Sequence, residues 1–330
     1  MMLPPEQQNS FAWYGPDMAL NTDRWMTVFT PAEIEELEAA AHFANSTGKK
    51  IIEIIPADFP LPTLEAKISA LRNEMIHGCG FALLRGLPVE KYSEEMASTI
   101  FYGFGAHLGL PRKQNAQGHL LGHVRDMGLS SNDPNVRVYQ TSERQTFHTD
   151  SCDVVGLMCL KTARSGGLFM LVSSSTIFNE MRKRRPDLLE LLFEPIATDR
   201  RGEVPEGMLP YFRIPVFSYY QGFLTSIYQR QYIDSAQRFP DAPRLTDKHI
   251  EALDLFDELA NSEELNFSMK FEPGDMQFLY NHTLLHDRTA FDDWPEEEKK
   301  RHHLRLWLTI PGDRPLPEIF NERITDRLPA

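Results

Sequence analysis

The sequence predicts a mainly β protein, a sandwich or barrel, with flanking helices covering one sheet. Three observations carry this. From about residue 136 onward, short apolar runs recur with turn residues between them. Before that point, apolar residues recur at helical spacing. No Pro- or Gly-rich boundary divides the 330 residues, so 1–330 is read as a single domain. Its parts are an N-terminal helical stretch at about 1–110, a β core at about 136–312, and a helical insertion at about 175–265 within that core.

The elements follow in order. In "TPAEIEELEAAAHFANSTG" Thr30 can cap a helix, Pro31 fits its first turn, and Glu33 completes a capping box. In "TLEAKISALRNEMIHG", Leu64, Ile68, Leu71 and Met75 recur at helical spacing, and Gly78 suits the end. "GFALLRGLP" reads as a short buried strand, and 93–108 as a further helix. The predicted strands of the core are "VRVYQT", "VVGLMCL", "GLFMLVS", "RIPVFSYY", "FLTSIY", "FSMKF", "MQFLYN" and "HHLRLWLTI". Helices interrupt them at about 175–193, where Pro186 splits the pattern, and at 247–261.

Composition narrows the function. Lys and Arg total 34 against 47 Asp and Glu, a formal net charge of −13. Nucleic-acid surfaces show a basic excess, so nucleic acid is not an expected partner, while a local basic pocket for a small anion remains open. Cys79, Cys152 and Cys159 have no C-x-x-C spacing, which suits a reducing compartment. The N-terminus has no basic start followed by an apolar core, and no apolar run reaches the ~18 residues of a membrane span. The expectation is a cytoplasmic protein.

The chemistry-bearing stretch is "QTFHTDSCDVVGL". Residues two apart on a strand share a face, so His148 and Asp150 are expected to project together. A polar strand edge is the bland reading of that pair. A third ligand would come from His282 or His286 in "EPGDMQFLYNHTLLHDRTAF". Two His and one carboxylate on one face, with open positions, suit a non-haem Fe(II) oxygenase, and zinc hydrolases use the same donors. The strand "KRHHLRLWLTI" alternates. His302, Leu304, Leu306, Leu308 and Ile310 form a face that can pack on helices, with His302 a structural histidine. Arg301, His303, Arg305, Trp307 and Thr309 form the other. Two guanidiniums facing a barrel interior are costly unless anions pair with them. A dicarboxylate cosubstrate would satisfy at least one, and internal salt bridges are the alternative.

At these residues the chain resembles the taurine dioxygenase / clavaminate synthase-like (TauD/TfdA-like) family of Fe(II)- and 2-oxoglutarate-dependent dioxygenases. The resemblance runs from about Gly78 onward through "GCGFALLRGLP", "FHTD", "SGGLFMLVSS", "NHTLLHDRTAF" and "RHHLRLWL". It implies a double-stranded β-helix (jelly-roll) core, with Fe(II) as cofactor and 2-oxoglutarate and O2 as cosubstrates. It further implies His148, Asp150 and His286 as catalytic iron ligands, with Asn281 and Arg288 spaced correctly around His286. Arg301 falls where the family binds the distal carboxylate of 2-oxoglutarate. Arg305 falls where it meets the other carboxylate or an anionic substrate group. The family often has Thr just after a Gly-Gly pair, but here Gly166 and Gly167 precede Leu168 and Phe169, and Ser173 is the candidate replacement. Residues 110–126, with Gln114, Asn115, His119 and His123, fall where the family places a segment covering its substrate or cosubstrate.

The reading is an oxidoreductase that hydroxylates a small polar or anionic molecule, with Arg305, Asn281 and Tyr139 as candidate substrate contacts. Halogenation is argued against because related halogenases lack the Asp150 carboxylate, while desaturation and ring formation stay open. A zinc hydrolase and a non-catalytic cupin-like module are the alternatives. The Arg-bearing strand favours the oxygenase over both, and the zinc reading also lacks a motif marking a general base. Oligomeric state is not readable from the sequence.

Overall fold

The structure is a computed structural model that describes residues 2–115, 117–133 and 136–322. Two facing sheets carry the core. The major sheet runs in the order 26–28, 81–85, 276–280, 154–161, 302–309 and 110–111, with 121–124 also paired to 302–309. The minor sheet runs 266–269, 169–173, 284–288 and 145–148, all antiparallel. Burial on both faces explains why 154–161 is nearly continuous in apolar residues.

Three packed cores give a layered section. Helices Pro31–Ser46, Glu65–His77 and Glu94–Leu108 lie on the outer face of the major sheet, against Leu304, Leu306, Leu308 and Ile310. Phe81, Leu157, Leu279 and Trp307 meet Phe169, Leu171, Phe267 and Leu284 between the sheets. Phe147, Val172 and Leu285 face the other way, into a core made with Ile177, Leu189, Leu253 and Phe256 of the covering helices. Those helices, Ser174–Arg184, Pro186–Leu191 and Asp247–Ala260, come from the segment between 169–173 and 266–269, two strands that pair directly.

The expected first helix carries its capping box, with Thr30 accepting from the Glu33 amide and Glu33 from the Thr30 amide. Gly78 closes the second helix, and Pro186 starts a new helix in its first turn. Two expectations are corrected. "VRVYQT" is not a strand: Val138–Gln140 is a 3-10 turn, closed by Gln140 N–H donating to Arg137 O and Thr141 N–H to Val138 O. "RIPVFSYY" is two strands, Tyr211–Ile214 and Phe217–Tyr220, which pair with different partners on either side of Pro215. Proline has no N–H for a ladder, so the break falls there. No helix among the described residues is long and apolar enough to cross a membrane.

Candidate active site

His148 ends the strand Gln145–His148 and His286 sits in Leu284–Arg288, opposite each other in register. Their direction follows from their neighbours. Phe147 and Leu285 are fully buried in the outer core, a burial worth roughly 1.5–3 kcal/mol each. Because side chains alternate, both histidines are driven into the space between the sheets. A one-residue slip would reverse this and is opposed by the whole buried face. Their ring centroids lie 4.1 Å apart.

Asp150 reaches the same point by another route. The sequence expectation put it on the strand with His148, but the strand stops at His148 and Asp150 lies in the loop beyond. Backbone bonds pin that loop. Thr149 N–H donates to Tyr228 O, Asp150 N–H to the Asn281 side-chain oxygen at 3.0 Å, and Asp153 N–H to Leu308 O. Asp150 Oδ1 is then 3.9 Å from His148 Nε2. The donor atoms of His148, Asp150 and His286 all lie within 4.8 Å of one another, and all three residues are buried.

The electrostatics suit a cation. Burial, and then the neighbouring His148, hold His286 neutral far below its usual pKa. Burial also lowers that of His148 despite Asp150. His148 Nδ1 lies 2.8 Å from Thr146 O, which fixes the proton there and leaves the Nε2 lone pair toward Gln145 Nε2, also at 2.8 Å. Burial would raise the Asp150 pKa. Arg305 first, then the imidazoles and the Trp307 N–H, hold it well below the usual carboxylate range. Asp150 Oδ2 accepts from Trp307 Nε1 at 2.8 Å and faces Arg305 Nη1 at 3.5 Å. Two neutral imidazoles and one ionised carboxylate form a donor set for a divalent metal with positions left open.

A small cavity beside the triad is lined by Arg288, Arg301 and Arg305 with Phe169 and Leu157. The first two are buried with unpartnered nitrogens: Nη1 of Arg301, and Nε and Nη1 of Arg288. Burial lowers Arg288 to about 9 and Arg301 to about 10. Unsatisfied buried cations are expensive, and a carboxylate in this cavity would relieve both. The residues therefore fit a dicarboxylate bound next to a metal. Arg288 Nη2 also donates to Glu143 O. Sequence reading used Arg288 only as context for His286. The signal that was available is its position two residues on along the same strand.

The other expected residues divide. Arg305 lines both this cavity and a larger one of about 570 Å³. It donates from Nε to Gln114 Oε1 at 2.8 Å and lies over the Tyr139 ring at 4.5 Å. Tyr139 lines both cavities, and residues 112–115 line the larger one, where the covering segment was expected. Ser173 is not brought to the site: its Oγ donates to Phe11 O and accepts from Thr176 N–H, capping the helix Ser174–Arg184. Asn281 lines neither cavity. It holds the Asp150 amide and donates to Cys152 Sγ at 3.2 Å. His282 points to Asp153 at 2.9 Å, away from the triad. Gly166 has φ +72°, and a Cβ there would lie 2.3 Å from Ala290 O, so the glycine is required by backbone contact. Arg137, Arg200, Glu203, Gln229 and Tyr232, which sequence reading did not select, also line the large cavity. No local pattern marks them, because they converge from separate loops and the insertion.

Comparison with known proteins identifies the family and the fold. Residues 42–307 match the sequence model of the family described as taurine catabolism dioxygenase TauD, TfdA family. FR-33289 synthase of Streptomyces rubellomurinus is 31% identical over 306 residues, 90% of this chain and 88% of that protein. A taurine hydroxylase-like protein of Stachybotrys chartarum is 30% identical over 326 residues, 92% of this chain and 82% of that one. Asparagine oxygenase in complex with Fe(II), hydroxyasparagine and succinate shares the fold, with a TM-score of 0.67 at 14% identity over 88% of this chain and 98% of that one. The non-heme iron oxygenase OrfP in complex with Fe and alpha-ketoglutaric acid gives 0.62 at 15% identity, over 86% and 94%. The two-sheet core is thus the jelly roll of these oxygenases, and the chain belongs to the TauD/TfdA family of Fe(II)- and 2-oxoglutarate-dependent dioxygenases.

Proposed function

We propose that this protein hydroxylates an unactivated carbon of a small anionic molecule, releasing succinate and CO2. In this reading His148, Asp150 and His286 are the iron ligands, Arg301 with Arg288 binds the far carboxylate of 2-oxoglutarate, and Arg305 with Tyr139 meets the primary substrate. Family membership sets aside the zinc-hydrolase and cupin-like alternatives. The observation that carries the substrate class is the charge of the 570 Å³ cavity at the triad. Arg112, Lys113, Arg137, Arg200 and Arg305 line it against Asp150, Asp199 and Glu203, in a chain whose overall charge is −13. A positive pocket in an acidic protein favours an anion by focusing its field there.

Iron with 2-oxoglutarate and O2 supplies an oxidant able to attack an unactivated C–H bond. The chain's own residues orient and exclude. The Trp307 N–H and Asn281 hold Asp150 from two sides. Gln114 locks Arg305 by accepting from its Nε and donating to its backbone oxygen at 2.8 Å. The test is a screen of sulfonates, phosphorylated metabolites, amino acids and neutral analogues for substrate-stimulated succinate formation. Stimulation by neutral compounds alone would reject the anionic class.

Two variants probe these roles. Trp307→Phe keeps an aromatic ring but deletes the indole N–H to Asp150. Outer bonds of this kind are worth about 10–100-fold in metal affinity or activity, so weaker Fe(II) binding is expected by titration at unchanged fold. Arg305→Lys keeps the charge and loses the planar fork held by Gln114. The primary substrate should then bind more weakly and be misplaced, so that succinate exceeds hydroxylated product. If coupling holds and only 2-oxoglutarate affinity falls, Arg305 serves the cosubstrate and the substrate-side assignment is lost.

A further inference from the structure

A second set of metal-ligand side chains converges outside the active site: Glu94, His123 and His302. They come from three elements. Glu94 opens the helix Glu94–Leu108, His123 lies on the strand Leu121–Val124, and His302 begins His302–Thr309. The register pairs His123 with Leu304, so His302, two residues before Leu304, is its diagonal neighbour on the same face. His123 Nδ1 lies 2.8 Å from His302 Nε2, and the rings stack at 5.1 Å. Glu94 places one oxygen 3.8 Å from His123 Nδ1 and the other 3.7 Å from His302 Nδ1.

One nitrogen of each imidazole and one Glu94 oxygen lie within 4.8 Å of one another, near enough to converge on one ion by side-chain rotation. Ligands at ~2.0–2.1 Å around a tetrahedral zinc are separated by about 3.3 Å. His302 gives the ion only one nitrogen, since its Nε2 faces His123 and its Nδ1 faces Glu94, so the exposed His123 and Glu94 side chains must rotate to bring their donors to that nitrogen. His302 is buried at the margin of the helix–sheet core, while His123 and Glu94 are exposed, so a solvent ligand has access to the fourth position. Burial, then Arg125, lowers His302 to about 3, and burial also lowers His123. The Glu94 carboxylate thus faces two neutral rings, the protonation state that ligates metal.

We propose that Glu94, His123 and His302 form a second, exchangeable transition-metal site of the Zn(II) class, tying the first turn of a covering helix to the edge of the major sheet. Imidazole with one carboxylate suits Zn(II), Cu(II) and Ni(II) better than Mg(II) or Ca(II). Arg125 and Lys161 lower the proton affinity of His302, and the same positive charge opposes a bound cation, which keeps the site weaker than a closed structural zinc site. It is independent of the proposed catalytic roles.

The test is equilibrium dialysis of the untagged full-length protein against Zn(II), counting bound metal. The unchanged protein should bind two equivalents. His123→Ala should bind one, Glu94→Gln should hold the second more weakly, and His148→Ala should lose the active-site equivalent but keep this one. Circular dichroism checks that each variant is folded, and the exposed Glu94 makes its variant the safer one. One equivalent in the unchanged protein, two in His123→Ala, or undiminished affinity in Glu94→Gln overturns the proposal. Two equivalents in His148→Ala would instead count against the active-site ligands.

Discussion

His286→Ala is expected to abolish succinate formation, while His282→Ala remains active. The two residues compete for the same role in sequence, four apart in "NHTLLH". The structure gives them different surroundings. His286 faces His148 across the strand pair at 4.1 Å between rings. Its Nδ1 is buried without a hydrogen-bond partner. His282 gives its Nε2 to Asp153, whose other oxygen accepts from Ile310 N–H. That network holds the far end of the loop carrying Asp150. Its loss leaves Asp153 short of one partner, at about 1–3 kcal/mol of stability, without removing a triad donor. Two measurements separate the variants: single-turnover succinate formation, and the anaerobic visible band of the Fe(II)–2-oxoglutarate complex. His286→Ala should show neither, and His282→Ala both, with a lower melting temperature. The reverse pattern would reassign the distal ligand.

How far the site could be read in the sequence depended on whether a residue's direction is set locally. Leu304, Leu306 and Leu308 alternate with Arg305 and Trp307, and the structure keeps that alternation, with the leucines on the helices and Trp307 between the sheets. Pro31, Glu33 and Pro186 act within one turn of their own positions, so the helix starts were legible. Asp150 converges with His148 and His286, but not through the shared strand face that the spacing suggests: it lies beyond the strand and is placed by Asn281 and Leu308, distant in sequence. Ser173 failed because its hydroxyl had a nearer use, as a helix cap, than the cavity it was offered to. "VRVYQT" has the composition of a strand, but turn bonds to Arg137 and Val138 closed it first. The large cavity was the least legible part. It is assembled from the covering segment, the 196–212 region and the turn at Tyr228–Gln229, and no single stretch carries its pattern.

Arg301→Ala is expected to raise the apparent KM for 2-oxoglutarate by roughly 10- to 150-fold, the equivalent of the 1.5–3 kcal/mol of a hydrogen bond to a charged group. The structure adds a sign that a purely structural arginine would not give. Arg301 is buried and Nη1 has no partner. Its backbone N–H, which the variant retains, donates to Asp293. A buried guanidinium without its anion is a burden on the unliganded protein. Removing it should therefore leave the melting temperature of the cosubstrate-free enzyme unchanged or higher, after the loss of side-chain packing on Phe291 is counted. The rise in melting temperature on adding 2-oxoglutarate should shrink, because ligand stabilisation follows affinity. Arg288→Ala tests the second guanidinium. Its Nη2 bond to Glu143 O is lost in the variant, so some destabilisation accompanies a weaker cosubstrate response. If both arginines bind one carboxylate, their effects on 2-oxoglutarate affinity will not add, and the double variant will lose less than the two losses combined. An unchanged KM in Arg301→Ala would remove the far carboxylate from this cavity. Strict additivity would give Arg288 a role separate from the cosubstrate, as a brace between the strand of His286 and the backbone at Glu143.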